Sequence, residues 1–248
     1  MEKCRFAELG IPFRLYEAPV SPLDDSDYAG ICTCGICSKS NVHCFRLGIG
    51  SNLIIPCPSC GINNGVDVDD KAAIGCRSCA ATIHYPTNLA SKKDPKACYE
   101  CLRAGKVAIT KNTEFGMVSC NEVFSGVTNG VPGLRQDQFE SVIIDADDEW
   151  VGVRLPEEIM LELVQTPTYG TWQGENWLFC CRYPMTFLGE WHHDDFDQRA
   201  ADGNGEQLYY NLVEDVPTDS WEAVGIGLCV YVFECKRCGK LRAHFDSD

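Results

Sequence analysis

The sequence has no long hydrophobic run. Its longest apolar stretch, Ala223 to Phe233, covers 11 residues, enough for a buried strand and too few to span a bilayer. The opening Met-Glu-Lys-Cys-Arg-Phe lacks the charged segment followed by an apolar one that marks a secretory signal. A cytoplasmic protein with no membrane partner is the expectation. Basic residues are scarce, with 21 Lys and Arg against 36 Asp and Glu in 248 residues. Nucleic-acid binding is disfavoured, because phosphates call for a positive footprint and Lys92-Lys93 with Lys96 is the one short basic run. There is no Gly-rich phosphate loop, no nucleophile elbow and no His-Glu-x-x-His zinc motif.

Cysteine, in contrast, is abundant. The chain holds 17, and ten of them form five Cys-x-x-Cys pairs: Cys34/Cys37, Cys57/Cys60, Cys76/Cys79, Cys98/Cys101 and Cys235/Cys238. An odd count without a signal argues against an extracellular disulfide framework. Two thiolates separated by two residues curl around one tetrahedral ion, so each pair is half of a Cys4 site. Redox chemistry is the weaker reading, since no βαβ pattern frames any pair. A structural Cys4 zinc site is worth about 10–16 kcal/mol of apparent binding energy in small peptides. That is comparable to the whole stability of a typical domain, about 5–15 kcal/mol. Two or three structural Zn2+ ions are therefore expected.

The spacers between the first four pairs are 19, 15 and 18 residues, all within the range of two-knuckle zinc ribbons. Sequential pairing (34/37 with 57/60, 76/79 with 98/101) and nested pairing (57/60 with 76/79, 34/37 with 98/101) both remain open on spacing. The fifth pair needs other ligands. Cys180 and Cys181 are the obvious suppliers, His244 a weaker one, and neighbouring side chains diverge, so one ligand is expected from Cys180-Cys181 instead of two. Cys4, Cys32, Cys44, Cys120 and Cys229 read as small buried hydrophobes or spare thiols.

Charge is unevenly spread. Residues 137–222 carry 20 Asp/Glu and only Arg154, Arg182 and Arg199 as bases, a net of −17, while the remaining residues net +2. The composition divides the chain into a cysteine-rich zinc-binding region, 1–136, and an acidic α+β region, 137–248, that ends in a knuckle. The acidic clusters Asp145, Asp147, Asp148, Glu149 and Asp194, Asp195, Asp197, with Trp191 nearby, are candidates to meet a basic protein, since such fields steer association. A solvated acidic face is the plainer reading. The fold expected is α+β: small mixed or antiparallel sheets stapled by Cys4 knuckles. The best helix is Leu155 to Val164, with Pro156 and two glutamates at its start and Leu155, Ile159 and Leu163 on one stripe. Phe13 to Tyr16, Val107 to Ile109, Val142 to Ile144 and Ala223 to Phe233 read as strands, and His192 to Asp195 as a polar surface loop.

Pro56-Cys57-Pro-Ser-Cys60 matches half of the nucleobase-deaminase signature, but that chemistry needs a His-x-Glu, and His43 is followed by Cys44 and Phe45. No catalytic residue is assigned.

Two early Cys-x-x-Cys pairs are followed by Thr166-Pro-Thr-Tyr-Gly-Thr-Trp-Gln-Gly-Glu-Asn-Trp177, Leu178-Phe-Cys-Cys181, Phe187-Leu-Gly189 and Tyr231-Val-Phe-Glu-Cys-Lys-Arg-Cys-Gly239. In these motifs the chain resembles the CbrC family of bacterial proteins, linked to resistance against a nuclease colicin. Cys57 to Cys79 stand outside that family's simpler pattern, so the resemblance implies an inserted zinc-ribbon-like element over 45–95 and nested pairing. It also implies an immunity or resistance protein, not an enzyme, that neutralises a basic nuclease toxin. A zinc-ribbon adaptor or nucleic-acid-associated regulator, and an unrecognised zinc hydrolase, are the rival readings.

Overall fold

The computed structural model describes residues 4–20, 27–47, 52–67, 73–84, 95–109, 127–128, 140–147, 150–171, 175–213 and 216–247. Short strands dominate. In chain order they begin with β1 (Cys4–Arg5), β2 (Pro19–Val20), β3 (Tyr28–Cys32), β4 (Val42–Arg46), β5 (Asn52–Pro56) and β6 (Asn63–Asp67). Next come β7 (Ile74–Gly75), β8 (Thr82–Ile83), β9 (Lys96–Cys98), helix α1 (Tyr99–Arg103) and β10 (Val107–Ala108). The second half holds β11 (Val127–Thr128), β12 (Ser141–Asp145), β13 (Trp150–Arg154), α2 (Glu157–Val164), β14 (Phe179–Cys180), β15 (Tyr183–Pro184) and β16 (Thr186–Glu190). Helices α3 (His193–Arg199) and α4 (Gly205–Leu212) then precede β17 (Leu228–Glu234) and β18 (Leu241–Ser247).

The named strand pairs are antiparallel, in sheets of two or three strands: β3-β4-β9, β10-β5-β6, β11-β13-β12 and β16-β17-β18 among them. The molecule is thus mixed α and β with small antiparallel sheets. Sheets this narrow are marginal alone and depend on what covers them. Among the described residues, no helix is long and apolar enough to cross a membrane.

One buried cluster joins the two halves that composition separates. Phe6, Phe13, Tyr16, Tyr28 and Phe45 interlock in edge-on and tilted pairs with ring centroids 5.2–5.7 Å apart. The same cluster takes in Leu155, Met160 and Leu163 of the α2 stripe, and Trp177, Phe187, Tyr231 and Phe233. Tyr169 is its hub: it stacks on Phe187 at 4.4 Å, and Tyr231 lies 5.0 Å away. Its hydroxyl accepts from the Asn176 amide at 2.8 Å and lies 3.1 Å from Nε2 of His244. Burial holds that imidazole well below its usual range, near 4, so it stays neutral. Glu175 is buried because Oε1 accepts the Tyr169 amide, and Trp177 Nε1 donates to the Met185 carbonyl at 2.8 Å. The tyrosine, glutamate and tryptophan of the 166–177 motif are therefore interior groups. Trp172 lies outside the described residues.

A second cluster packs α3 and α4 on the outer face of β17 and β18 through Phe196, Tyr209, Val230, Val232 and Ala243. Neither helix was expected. Asp195 Oδ2 accepts the His192 amide at 2.9 Å and starts α3, and Phe196 anchors it. Asn204 Oδ1 accepts the Gln207 amide at 3.0 Å and caps α4. The strand expected from Ala223 begins instead at Leu228, because Gly225 turns the chain at φ 77° beneath the His192 ring. Phe13 to Tyr16 forms a single bridge, Tyr16 to Phe187, and no strand.

Truncating the ring on which the Tyr169 hub stacks should show this architecture directly. Phe187→Ala is expected to destabilise by about 3–5 kcal/mol in chemical denaturation. Ile143→Ala, at a residue 70% exposed, is expected to cost under about 0.5 kcal/mol.

Candidate metal centres

Four of the five Cys-x-x-Cys pairs share one backbone device. The N–H of the first cysteine donates to the carbonyl five residues on: Cys34 to Lys39, Cys57 to Ile62, Cys76 to Ala81 and Cys235 to Lys240, at 2.8–2.9 Å. The carbonyl of the same cysteine accepts from Ser38, Gly61, Ala80 or Gly239 at 2.8–3.1 Å. Each of those four residues sits in the left-handed region, at φ 58–75°. The result is a tight knuckle that turns both sulfurs to one side. Cys98 and Cys101 differ, for Cys98 ends β9 and Cys101 lies in the first turn of α1. That helix is anchored by Arg103, whose guanidinium donates to both oxygens of Glu162 on α2 at 2.8 and 3.3 Å.

The cysteines gather into three tetrads, each with its four Sγ atoms within 4.8 Å of one another: Cys34, Cys37, Cys98, Cys101; Cys57, Cys60, Cys76, Cys79; and Cys180, Cys181, Cys235, Cys238. The first two groupings have the nested arrangement. Sulfur pairs stand 3.9 Å apart for Cys34–Cys101, 3.7 Å for Cys37–Cys98, 3.6 Å for Cys57–Cys79, 3.6 Å for Cys60–Cys76 and 3.6 Å for Cys180–Cys238. A disulfide needs about 2.05 Å. A tetrahedron with metal–sulfur bonds of about 2.3 Å has edges of about 3.8 Å. The tetrads have the size of a four-thiolate metal site, which fits zinc.

The third tetrad corrects one expectation. Both adjacent cysteines face it, with sulfurs 3.8 Å apart. Side chains of consecutive residues diverge in extended or helical chain, but Cys181 and Arg182 both have positive φ, 52° and 57°, in the turn between β14 and β15. That turn folds the second sulfur back beside the first. His244 is absent from the tetrad and is committed to the tyrosine hub. Among the unpaired cysteines, Cys44 is fully buried against the first tetrad, Cys4, Cys32 and Cys229 are half-buried, and Cys120 lies outside the described residues.

Without an ion the thiols of a tetrad resist sharing charge. Burial pushes the Cys34 thiol up, yet amides of Cys37, Cys98 and Ile36 outweigh it and hold it near 7. The Cys79 and Ser78 amides bring Cys76 to about 6, and the Lys240 amide brings Cys238 to about 7. Their neighbours go the other way: burial and the Cys238 sulfur lift Cys180 to about 12, and burial raises Cys101. In the first and third tetrads one thiolate forms readily and opposes the next. In the second the thiols of both Cys57 and Cys76 are lowered, at Cys57 because burial, which pushes it up, is outweighed by the Ser59 and Cys60 amides. A divalent cation removes that opposition, and four sulfurs complete its shell.

The proposed partner residues fall elsewhere. Asp194, Asp195 and Asp197 are exposed on α3. Asp195 caps that helix, Asp197 Oδ1 accepts the Gly205 amide at 3.0 Å, and Trp191 packs edge-on to Phe196 at 5.2 Å. Asp147 is exposed in the β12–β13 turn. Asp145 ends β12, while Asp148 and Glu149 lie outside the described residues. The sequence reading missed Asp202 and Glu206, which, with His193, Asp197, Asn204 and Trp221, line a cavity of about 410 Å3 between α3 and α4. Recognising the Asp-Gly-Asn-Gly run as the start of a helix was the signal that could have found them.

A family model described as "Uncharacterised protein family (UPF0167)" matches residues 59–247, more than half of the chain. The chain belongs to the UPF0167 family. It is also similar to the UPF0167 protein PA1536 of Pseudomonas aeruginosa, 31% identical over 98 residues, which cover 37% of this chain and 52% of that protein. The match thus spans about half the length of this curated relative. No solved structure matches. Within this UPF0167 protein, the family match takes in all of the third tetrad but only Cys60, Cys76 and Cys79 of the second and Cys98 and Cys101 of the first.

Two outcomes are expected. Protons compete for the thiolates, so metal affinity and the stability it confers fall as pH falls. With one thiol of the first or third tetrad ionising near 7, about three protons must leave, and competition with a chromophoric chelator should show affinity at those sites dropping towards a thousandfold per pH unit. Intact native mass should exceed denatured mass by up to three metal ions, and Cys98→Ser should remove one of them.

Proposed function

We propose that this UPF0167 protein is a metal-stapled binding protein, not an enzyme, that neutralises a basic protein toxin through its acidic helical face. Its resident ions in this reading are structural Zn2+, and the two facing knuckles at 57–60 and 76–79 form a zinc-ribbon-like module. The CbrC resemblance suggests a nuclease as the toxin, with carboxylates competing for the cleft that binds nucleic acid.

The observation that carries the proposal is the one-sided charge of the α3–α4 layer. Asp194, Asp195, Asp197, Asp202, Glu206, Asp219 and Glu222 are all exposed there. The nearby base, Arg199, is turned towards Glu234, 3.5 Å away. The open cavity between the helices, with Trp221 as one wall, suits entry of a lysine or arginine side chain. Fields of this kind speed encounter with a cationic partner and disfavour polyanions. Four sulfurs per tetrad leave no vacant coordination position for a reactive water, which supports scaffold zinc over hydrolytic zinc.

The test compares the wild type with the triple variant Asp194→Lys, Asp202→Lys, Glu206→Lys as bait for lysate of the source organism, with and without added nuclease. The expected result is a stoichiometric basic protein on the wild type in both samples, bound roughly 10- to 100-fold more weakly by the variant at low salt. Equal retention by both baits, or material that vanishes on nuclease treatment, would overturn the proposal.

A further inference from the structure

The three tetrads differ in how much protein holds them together when no ion does. In the first, Cys98 pairs across the ladder with Cys44, three of the four cysteines are buried, and α1 is pinned to α2 through Arg103 and Glu162. In the second, both halves are complete knuckles, and buried Asn64 ties one to the other: its Nδ2 donates to the Ile62 carbonyl at 2.7 Å and its Oδ1 accepts the Arg77 amide at 2.9 Å. Arg77 Nε adds a bond to the Asn63 carbonyl at 2.9 Å.

The third tetrad has one knuckle only. Its other half is a hairpin with two residues per strand, paired Phe179 to Pro184 and Cys180 to Tyr183, and Pro184 has no N–H to give. Its turn places two consecutive residues other than glycine in the left-handed region. Cys181 and Cys238 are exposed and Cys180 is half-buried. At its base the hairpin is held by the buried Arg242, which donates to the Phe179 carbonyl at 2.8 Å. At the turn the tie is Arg237, an exposed residue that donates to the Cys181 carbonyl at 2.8 Å and lies 4.9 Å from the centre of the Tyr183 ring. Cys34, Cys57 and Cys76 each accept backbone N–H bonds at sulfur. Among the described residues no such bond reaches Cys180 or Cys181.

We propose that the third tetrad is an exchangeable site for a thiophilic divalent cation, a clasp that docks the β14–β15 hairpin on the 235–238 knuckle while the ion is in supply. The first two tetrads keep their ions through that exchange. The strained turn and the sparse hydrogen bonding at its sulfurs favour release of the turn from the knuckle once the ion leaves, while buried Phe179 keeps the base of the hairpin in the core. Cys181 and Cys238, like Cys60 and Cys79 of the second tetrad, are exposed to a competing ligand. The inference rests on the reading of the tetrads as metal sites, and the experiment separates the two.

Zinc-loaded full-length protein is challenged with a chelator and followed by native mass spectrometry, with pulses of N-ethylmaleimide and peptide mapping. Loss of the first ion is expected to coincide with labelling of Cys180, Cys181, Cys235 and Cys238, at least about tenfold faster than the other eight tetrad cysteines. Cys181→Ser is expected to carry two ions with those eight still protected. Simultaneous labelling of all twelve, earlier labelling of Cys60 and Cys79, or loss of every ion in Cys181→Ser would overturn the clasp and leave the metal reading standing. A wild-type chain that takes up no zinc would overturn both.

Discussion

Convergence of four sulfurs at a point is the constraint on which the rest of this molecule depends. The first tetrad joins a knuckle near residue 34 to a helix start near residue 98, and the third joins a hairpin at 180 to a knuckle at 235. Each closure removes conformational freedom that these short strands could not overcome by themselves. The aromatic core then completes what the sulfurs bring together. Tyr169 illustrates the dependence, since its neighbours Phe187, Tyr231 and Phe233 all lie on strands that flank the third tetrad in the chain.

Charge and metal occupy different parts of the structure. The tetrads lie at the ends of hairpins, whereas the exposed carboxylates concentrate on two helices packed over the outer face of β17 and β18. The helices need no sulfur of their own, because Phe196 and Tyr209 hold them to the sheet. That division lets the surface vary without disturbing the ligands.

Much of this was legible in the residues. The Cys-x-x-Cys rhythm identified ten of the twelve tetrad cysteines, because two residues is the separation that one turn needs to aim both sulfurs alike. The apolar stripe of Leu155, Ile159 and Leu163 revealed α2, since a helix of period 3.6 buries one face. Partnership between pairs was not legible, because closure cost grows only slowly with loop length, so the long outer loop of the nested pairing is little penalised against loops of 15 to 19 residues. The Cys180-Cys181 reading erred because local geometry was assumed to be ordinary, and Arg182 gives no hint of a positive φ. Helix α3 went unseen for a related reason: Asp195, which starts it, reads as part of a polar loop until its carboxylate is seen to accept the His192 amide, and α4 starts at Asn204 in the same way, its side-chain oxygen accepting the Gln207 amide.

The single buried cluster has a consequence for biosynthesis. Phe6 and Phe13 emerge from the ribosome long before Tyr231 and Phe233, with which they share that interior. Until those residues follow, the part of the aromatic cluster that they cover is exposed on the nascent chain, a surface of the kind that holdase chaperones bind. Strand β18, which follows the other described strands in the chain, supplies Arg242, whose guanidinium donates to the Phe179 carbonyl at 2.8 Å. Loss of that strand would uncover the shared interior instead of trimming an edge.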